Sequence, residues 1–411
     1  MHRPSLEVLL VGPDGHGRST LIGRLFHDTG SLPEEHVETI RETGGMERPD
    51  IEFEHVIEHM KTIPPEDDAL GTGRAFLAAE RRDYAILSAS EHPELLRDMI
   101  AGACRPETAV LLCCAYEGVD EPTRRHASLL RLPGLQTVLV VYNKMDLVGY
   151  DQHRFDRVRA DVEALLDGLD IAPSYHIPVS ALHGDNVAED SDNLPWHEGP
   201  TVVEALEENE PPAAPEQRPV RFSVQDAYEV EGRQLAVGRV ESGVLRRGAE
   251  LVFPPDQRKH VVEEIVRFGE SDTESAGCGE CIGVRFDGGV PARGQIGCTA
   301  DSPAACVASL EASLVWEAED PLDAEETLTL RCSTQERRCR IDEVRHRIDL
   351  ATLRPIENDS SGLTTDEAAQ VTLQLETPAV PEVFREVPEL GRLLLLREGE
   401  VAARGIVTKA G

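Results

Sequence analysis

A glycine-rich stretch near the start of the chain could bind phosphate groups. Residues 12–19 fit the pattern G-x-x-x-x-G-K-[ST] with one departure, because Arg18 stands where the pattern has lysine. Such a loop wraps an anion with backbone amides, and the dipole of the following helix adds partial positive charge. The residues that we expect around the phosphates are Gly12, Asp14, Gly15, His16, Gly17, Arg18, Ser19 and Thr20. The alternative interpretation is an ordinary glycine-rich turn between a strand and a helix.

Two side chains of this loop bear on metal binding and on the affinity for a nucleotide. The hydroxyl of Ser19 is the expected ligand of Mg²⁺. The guanidinium of Arg18 is broad and planar, whereas a lysine ammonium is a compact point charge that fits between the β- and γ-phosphates. We therefore expect nucleotide binding to be weaker than in an intact loop, by roughly a few kcal/mol.

A second set of residues could select the base. An N-K-x-D motif at 143–146 directly follows an apolar run, at the carboxyl end of a predicted strand, where open α/β sheets bind ligands. Its carboxylate, Asp146, could accept hydrogen bonds from N1 and N2 of guanine, and adenine cannot supply that pair of donors. An S-A-L triplet at 180–182 could place a backbone amide near the guanine O6. The residues that we expect at the base are Asn143, Lys144, Asp146, Ser180, Ala181 and Leu182.

Alternating strands and helices must position these motifs. The apolar runs are residues 6–11, 84–87, 109–114 and 137–142. They are continuous rather than alternating, which indicates strands buried on both faces of a sheet. We predict an α/β fold over residues 1–205, with a mostly parallel sheet and helices on both faces.

The rest of the chain has a different pattern. A proline-rich acidic segment at 206–217 is interpreted as a linker. Beyond it, short strands separated by Gly, Pro and Asp turns continue to the end of the chain, without a helical period. We predict two small β-barrel domains, at 218–303 and 304–411.

Together these motifs resemble the translational class of GTPases, the elongation-factor-Tu-like proteins, in which a P-loop G domain is followed by two β-barrels. The resemblance covers essentially the whole chain, and it implies binding of GTP or GDP with Mg²⁺. Several stretches are most similar to one branch, the large GTPase subunit of the bacterial heterodimeric sulfate adenylyltransferase. They are residues 19–29, 123–126, 143–148, 180–187, 193–196, 199–201, 314–316 and 344–349.

Similarity to that branch implies a role in sulfate activation. A small partner subunit would make adenosine 5′-phosphosulfate and pyrophosphate from ATP and sulfate, and GTP hydrolysis on this chain would drive that unfavourable step. Nothing in the chain is similar to an ATP-sulfurylase active site, so the adenylyl transfer is assigned to the partner. Two other interpretations stay open. One is a nucleotide-independent scaffold or regulatory pseudo-GTPase, and the other is an elongation-factor-like translation GTPase.

The switch motifs of this family are altered in the chain. Where the family has D-x-P-G-H, this sequence has residues 88–92, and only His92 matches. Glu91 would bring a like charge toward the γ-phosphate, which costs on the order of 1 kcal/mol or more at about 4 Å. An ungapped count from His92 places Ala69 where the family has a Mg²⁺-binding threonine.

These departures set the expected activity. The resemblance makes His92 the water-positioning catalytic residue, and the alternative that we favour is a solvated residue at a helix start. An active GTPase of this type must hold the metal, sense the γ-phosphate and position water. We therefore expect weak guanine-nucleotide binding with impaired or absent hydrolysis.

Two further motifs could bind metal. His55, Glu58 and His59 spell H-x-x-E-H, which at helical spacing puts two imidazoles on one face. We favour a polar helix face with chance histidines. Cys278 and Cys281 form C-x-x-C without a second pair of matching spacing, and we interpret the segment as a strand.

Composition sets the expected partners and location. The 76 acidic and 41 basic residues give a net charge of −35, so neither nucleic acid nor an anionic membrane is an expected partner. Lysine is nearly absent, and such an acidic surface suggests a salt-rich cytoplasm. The first apolar run is shorter than an export signal needs, and the nine cysteines are an odd number, so we expect neither export nor a disulfide framework. No apolar run approaches the roughly 20 residues needed to span a bilayer, and we expect a cytoplasmic protein.

Overall fold

The structure is a computed structural model of the chain. It describes residues 5–31, 74–78, 83–88, 93–104, 106–131, 135, 137–208, 214–230, 232–256, 258–267, 270–287, 289–323, 325–356 and 362–411. The chain forms two compact units, Met1–Met99 with Cys104–Pro211, and Ile100–Ala103 with Pro212–Gly411. The division falls inside the predicted linker, and the predicted domain boundaries themselves stay predictions.

The two units differ in secondary structure. The helices are α1 (Arg18–Asp28), α2 (Pro93–Ile100), α3 (Glu121–Ser128), α4 (Gln152–Asp167), α5 (Val202–Glu207) and α6 (Pro388–Gly391). The strands of the first unit are β1 (Ser5–Val11), β2 (Arg74–Ala78), β3 (Asp83–Ser88), β4 (Thr108–Cys114), β5 (Thr137–Asn143) and β6 (Tyr175–Pro178). Within the described segments, no helix is long and apolar enough to cross a membrane.

The first unit is built on a six-stranded sheet of order β2-β3-β1-β4-β5-β6. All its pairings are parallel except that of β2 with β3. Side chains alternate between its faces. Val141 of β5 packs in a core that includes Leu21 of α1, whereas the ring centroid of Tyr142 lies 5.0 Å from that of Phe155 in α4. Because both faces are covered, the strands have continuous apolar runs, and the predicted α/β fold class is confirmed.

The strands of the second unit form two barrels. The first contains β7 (Arg221–Val230), β8 (Arg233–Ser242), β10 (Glu250–Val252), β11 (Lys259–Arg267), β12 (Glu270–Thr273), β14 (Cys281–Phe286) and β15 (Ile296–Thr299). Beside it, β9 (Val244–Arg246) and β13 (Ser275–Gly277) pair with each other as a separate two-stranded sheet. The second barrel contains β16 (Val307–Trp316), β17 (Leu328–Cys332), β18 (Gln335–Asp349), β19 (Arg354–Pro355), β20 (Glu367–Ala379), β21 (Arg392–Arg397) and β22 (Glu400–Ala410).

Each of the two barrel sheets closes on itself. In the first, the order β10-β15-β7-β8-β14-β11-β12 is joined by an extra pairing of β10 with β11. In the second, the order β17-β21-β22-β16-β20-β18-β19 is joined by a pairing of β17 with β18. Closure pairs strand edges that would otherwise be exposed, and each barrel encloses its own apolar core. The two predicted β-barrels are confirmed.

Two local features of the structure lie at segments that the sequence analysis singled out. The C-x-x-C segment is only partly a strand, because β14 begins at Cys281 and Cys278 lies in the preceding turn, where its thiol donates to the carbonyl of Glu241 at 3.1 Å. Helix α5 runs past residue 205 into the predicted linker, because Leu206 is buried in the first core.

Candidate functional site

The glycine-rich loop connects β1 to α1 and is closely packed at two glycines. A Cβ at Gly12 would lie 2.7 Å from the carbonyl oxygen of Leu112 in β4. Gly17 has φ of +91°, and a Cβ there would lie 2.3 Å from Nδ2 of Asn143. Neither position can carry a side chain without displacing its neighbour, so the loop follows the sheet edge closely.

The buried side chain of His16 holds this loop in place through two contacts. Its imidazole is buried, its Nδ1 accepts a hydrogen bond from the Cys114 amide at 3.2 Å, and its Nε2 lies 2.9 Å from a carboxylate oxygen of Glu117. Since Nδ1 accepts, the neutral ring carries its proton on Nε2 and donates it to Glu117. Burial lowers the pKa of His16, although Glu117 and Asp120 act in the opposite direction. The side chain thus positions the loop, and contact of His16 with phosphate stays a prediction.

The arginine of the loop has a partner on the same loop. The guanidinium Nη2 of Arg18 is hydrogen-bonded to Oδ1 of Asp14, four residues earlier. The Arg18 side chain is 5% exposed and that of Asp14 is 91% exposed. The sequence carries no signal for this pair, because Asp14 lies in the loop before α1 and the four-residue spacing rule applies to residues of one helix.

Asn143 joins the base side of the site to the phosphate loop. It ends β5 and is 2% exposed. Its Nδ2 donates to the His16 carbonyl at 2.9 Å, and its Oδ1 accepts from the Ala181 amide at 2.9 Å. One buried side chain therefore brings together the three motifs that the sequence placed at one sheet edge.

The carboxylate of Asp146 is oriented by its neighbours. It lies in a short 3₁₀ turn, Met145–Val148, which Lys144 enters with a left-handed φ of +64°. Ser180 donates its hydroxyl proton to Oδ1 of Asp146 at 2.7 Å. Both Lys144 and Asp146 are half-buried. The arrangement holds one carboxylate at the edge where the predicted base would lie.

The S-A-L triplet is fastened to the helix that follows the phosphate loop. Arg24 of α1 donates from Nε to the Ala181 carbonyl at 3.2 Å and from Nη2 to the Leu182 carbonyl at 2.6 Å. The Ser180 amide donates to the Asp185 carbonyl, and the Ala181 amide is engaged by Asn143. Among the three predicted amides, that of Leu182 is therefore the candidate donor to a guanine O6.

A polar network that the sequence did not predict supports the base side. The Asp185 carboxylate accepts from the Tyr150 hydroxyl at 2.6 Å, from the Ser191 hydroxyl at 2.5 Å and from the Asn193 amide at 2.9 Å. Burial raises the pKa of Tyr150. Burial also acts to raise the pKa of Asp185, but these hydrogen bonds outweigh it and lower that pKa. Trp196 completes the support by donating to the Tyr150 carbonyl at 3.0 Å.

The metal-binding role of Ser19 and the catalytic role of His92 stay predictions. Ser19 and Thr20 lie in the first turn of α1 and are half-buried. Among the described residues, no group of three or more His, Cys, Asp or Glu could hold a metal ion. Ala69, Glu91, His92 and the H-x-x-E-H motif at 55–59 lie outside the described residues.

The chain is similar to known proteins over nearly its whole length. Residues 3–212 match the family model described as the elongation factor Tu GTP binding domain, and residues 309–408 match the GTP-eEF1A C-terminal domain-like model. Elongation factor 1-alpha of Methanopyrus kandleri is 32% identical over 420 residues, with coverage of 98% of this chain and 97% of that protein. Elongation factor 1-alpha of Pyrococcus furiosus is 31% identical over 418 residues, with the same coverage of each chain.

Proposed function

Because the chain belongs to the elongation-factor-Tu-like family of translational GTPases, we propose that it binds guanine nucleotides and serves in translation elongation, with impaired hydrolysis of GTP. The observation that carries the guanine assignment is the position of Asp146, held by Ser180 beside an asparagine that bonds to the phosphate loop. A carboxylate held there accepts two hydrogen bonds from the edge of guanine and finds no matching pair of donors on adenine.

The residues divide the work of binding as follows. Asp146 would accept from N1 and N2 of guanine, and the Leu182 amide would donate to O6. The loop amides and the start of α1 would surround the phosphates, where the helix dipole favours negative charge. A bound Mg²⁺ would neutralise phosphate charge, and Ser19 would hold it. Asn143 fixes the distance between base and phosphate sites through its two hydrogen bonds.

Impaired hydrolysis rests on the altered residues of the phosphate side. The sequence has Ala69 and Glu91 where the family pattern has a metal-binding threonine and a glycine. Arg18 replaces the lysine of the loop, and its guanidinium is bonded to Asp14. Catalysis of phosphoryl transfer depends on positioning and on neutralising charge, so each of these changes slows it.

The role in translation is supported by the relatives, which match along 98% of the chain and are elongation factors. The net charge of −35 opposes binding to RNA at low salt. In a cytoplasm of about 1 M salt the screening length falls to about 3 Å, which weakens that repulsion.

A second candidate is the large subunit of a sulfate adenylyltransferase, paired with a small adenylyl-transferring subunit. It is supported by stretches such as 123–126, 193–196 and 344–349, and by an acidic composition that disfavours a nucleic-acid partner. The relatives reported above carry the name of an elongation factor, and translation is therefore the first candidate.

Calorimetric titration of the purified chain with GDP, GTP and ATP, in high KCl with Mg²⁺, tests the base assignment. We expect GDP to bind and ATP not to bind. Asp146→Asn should lose affinity for GDP and gain affinity for xanthosine diphosphate, because asparagine pairs a donor and an acceptor with the two groups of xanthine. Asp161→Asn, at an exposed position of α4, is the matched control. Equal affinity for ATP and GDP would overturn the assignment.

Two further measurements test the remaining parts of the proposal. Release of phosphate from GTP at a rate abolished by Asp146→Asn would overturn impaired hydrolysis. For the role, the full chain is captured from its source cells in high KCl. Recovery with ribosomes or aminoacyl-tRNA supports translation, recovery with an adenylyl-transferring subunit supports the second candidate, and recovery alone supports a scaffold.

A further inference from the structure

The contact between Asp14 and Arg18 places an acidic group on the cation that a phosphate loop normally reserves for the β- and γ-phosphates. Asp14 is the third residue of the loop, and Arg18 is the seventh. Asp14 lies in the loop and Arg18 is the first residue of α1, and an oxygen of the carboxylate contacts a nitrogen of the guanidinium. The Asp14 carboxylate therefore contacts the same guanidinium that a phosphate group of a bound nucleotide would contact.

The two side chains of this contact differ in their exposure to solvent. Arg18 is almost fully buried, so its guanidinium cannot swing far from the loop, whereas Asp14 is almost fully exposed. A phosphate that approaches Arg18 from solvent must displace or face the Asp14 carboxylate. Carboxylate and phosphate oxygens compete for the same N–H donors of a guanidinium, because both form charge-assisted hydrogen bonds with it.

We propose that Asp14 is a specificity-determining residue that competes with the terminal phosphate of a nucleotide for Arg18 and so makes the site prefer nucleoside diphosphates over triphosphates. This inference rests on the proposed binding of guanine nucleotides. A diphosphate brings less charge toward Arg18 than a triphosphate and is disfavoured less by the resident carboxylate. The base side, with Asp146 and Asn143, contributes equally to both nucleotides.

Two other acidic groups in the described part of the chain near the loop, Glu117 and Asp120, contact other residues. Glu117 is bonded to His16, and Asp120 accepts from the amide and the hydroxyl of Thr123 at the start of α3. We assign the preference to Asp14 because its carboxylate contacts the Arg18 guanidinium directly.

The test measures the affinity of the full chain for GDP and for a non-hydrolysable GTP analogue, by calorimetry in high KCl with Mg²⁺. Asp14→Asn removes the charge and keeps the shape. We expect it to raise affinity for the triphosphate about tenfold and for the diphosphate less than about threefold. The matched control is Glu163→Gln, which removes the carboxylate of an exposed pair of the same four-residue spacing, with Arg159. It should change neither affinity by more than about twofold.

A double variant that lacks the guanidinium tests whether the effect of Asp14 depends on its contact with Arg18. In Arg18→Gln the guanidinium is gone, so adding Asp14→Asn should no longer change the ratio of the two affinities. An undiminished change in that background would overturn competition for Arg18, since simple repulsion would then suffice. Asp14→Ser provides an independent uncharged variant, and thermal unfolding of each variant confirms that it is folded.

The outcomes separate this inference from the proposed function. If GDP does not bind, or if Asp146→Asn leaves its affinity unchanged, the proposed function fails and the inference fails with it. If GDP binds in an Asp146-dependent manner and Asp14→Asn changes both affinities equally, only the inference fails.

Discussion

The base side and the phosphate side of the candidate site are built differently. On the base side, Asn143 is buried and satisfied by two backbone groups, and Asp146 is held by Ser180. On the phosphate side, the guanidinium of Arg18 is bonded to a carboxylate of its own loop. A buried, satisfied network has one preferred arrangement, whereas a ligand anion that binds a cation already paired with a carboxylate competes with that carboxylate.

This difference shows that recognition of the base and grip on the terminal phosphate are separable in this fold. Strand β5 supplies the base side, and the loop after β1 supplies the phosphate side. The side chain of Asn143 bonds to both the loop and the S-A-L triplet. Changes on one side can therefore accumulate while the other keeps its form.

The largest effect is expected at that junction. Asn143→Ala removes both hydrogen bonds and leaves the His16 carbonyl and the Ala181 amide without their partner in a buried place. We expect the free energy of unfolding to fall by about 2–4 kcal/mol, measured by urea denaturation, together with loss of GDP binding. The control is Asn193→Ala, at an exposed asparagine that donates to Asp185. An equal loss in both variants would contradict a special role for the junction.

The next effect is a dependence of stability on pH in the first unit. Burial lowers the folded-state pKa of four of its histidines, which are His16, His126, His176 and His197. Below about pH 6.5 the unfolded chain protonates these groups while the folded chain resists, so the unfolded state binds more protons. The free energy of unfolding should therefore decrease as pH is lowered through about 6.5 and toward the folded pKa values.

Tryptophan fluorescence can measure this in each unit separately. The chain has two tryptophans, Trp196 in the first unit and Trp316 in the second. In Trp316→Phe the signal reports the first unit, and in Trp196→Phe it reports the second. Stability of the first unit that rises on acidification from neutral pH to about pH 5.5 would contradict the burial of neutral imidazoles.

The fold and the assembly of the site follow from the sequence to a large extent. Continuous apolar runs predict buried parallel strands, and β1, β4 and β5 lie at those runs. Motifs that follow parallel strands meet at one sheet edge, and so the three motifs were expected to lie together. The contacts of Asn143 give that expectation an atomic form.

The positioning contacts do not follow from the sequence. The burial of His16 under Glu117 and the bond of Tyr150 to Asp185 depend on the rotamers and relative placement of segments far apart in the chain. Short motifs also could not choose among the branches of this family. The base-binding motifs belong to the G domain in general. The similarity to elongation factors 1-alpha became visible only over nearly the whole chain.

Ser180→Ala sharpens the comparison within the base side. The variant removes the hydroxyl that donates to the Asp146 carboxylate at 2.7 Å and keeps the backbone. Loss of a hydrogen bond to a charged group should weaken GDP binding about tenfold with a smaller effect on unfolding. The affinities for GDP and for the triphosphate analogue should fall together, because the change lies on the base side. A fall in only one of them would contradict the separation of the two sides.

The smallest effect is expected from Arg24→Lys, which tests how α1 holds the S-A-L triplet. Arg24 donates to the Ala181 and Leu182 carbonyls from two nitrogens in a planar fork, and one ammonium cannot reproduce that geometry. We expect GDP affinity to fall about threefold, mainly through faster dissociation, which stopped-flow fluorescence can measure. Arg159→Lys, at an exposed arginine of α4 paired with Glu163, is the control and should leave dissociation unchanged. If both variants release GDP at the rate of the unmodified chain, the triplet is held well enough by Asn143 alone, and the phosphate-side helix contributes nothing to retention of the base.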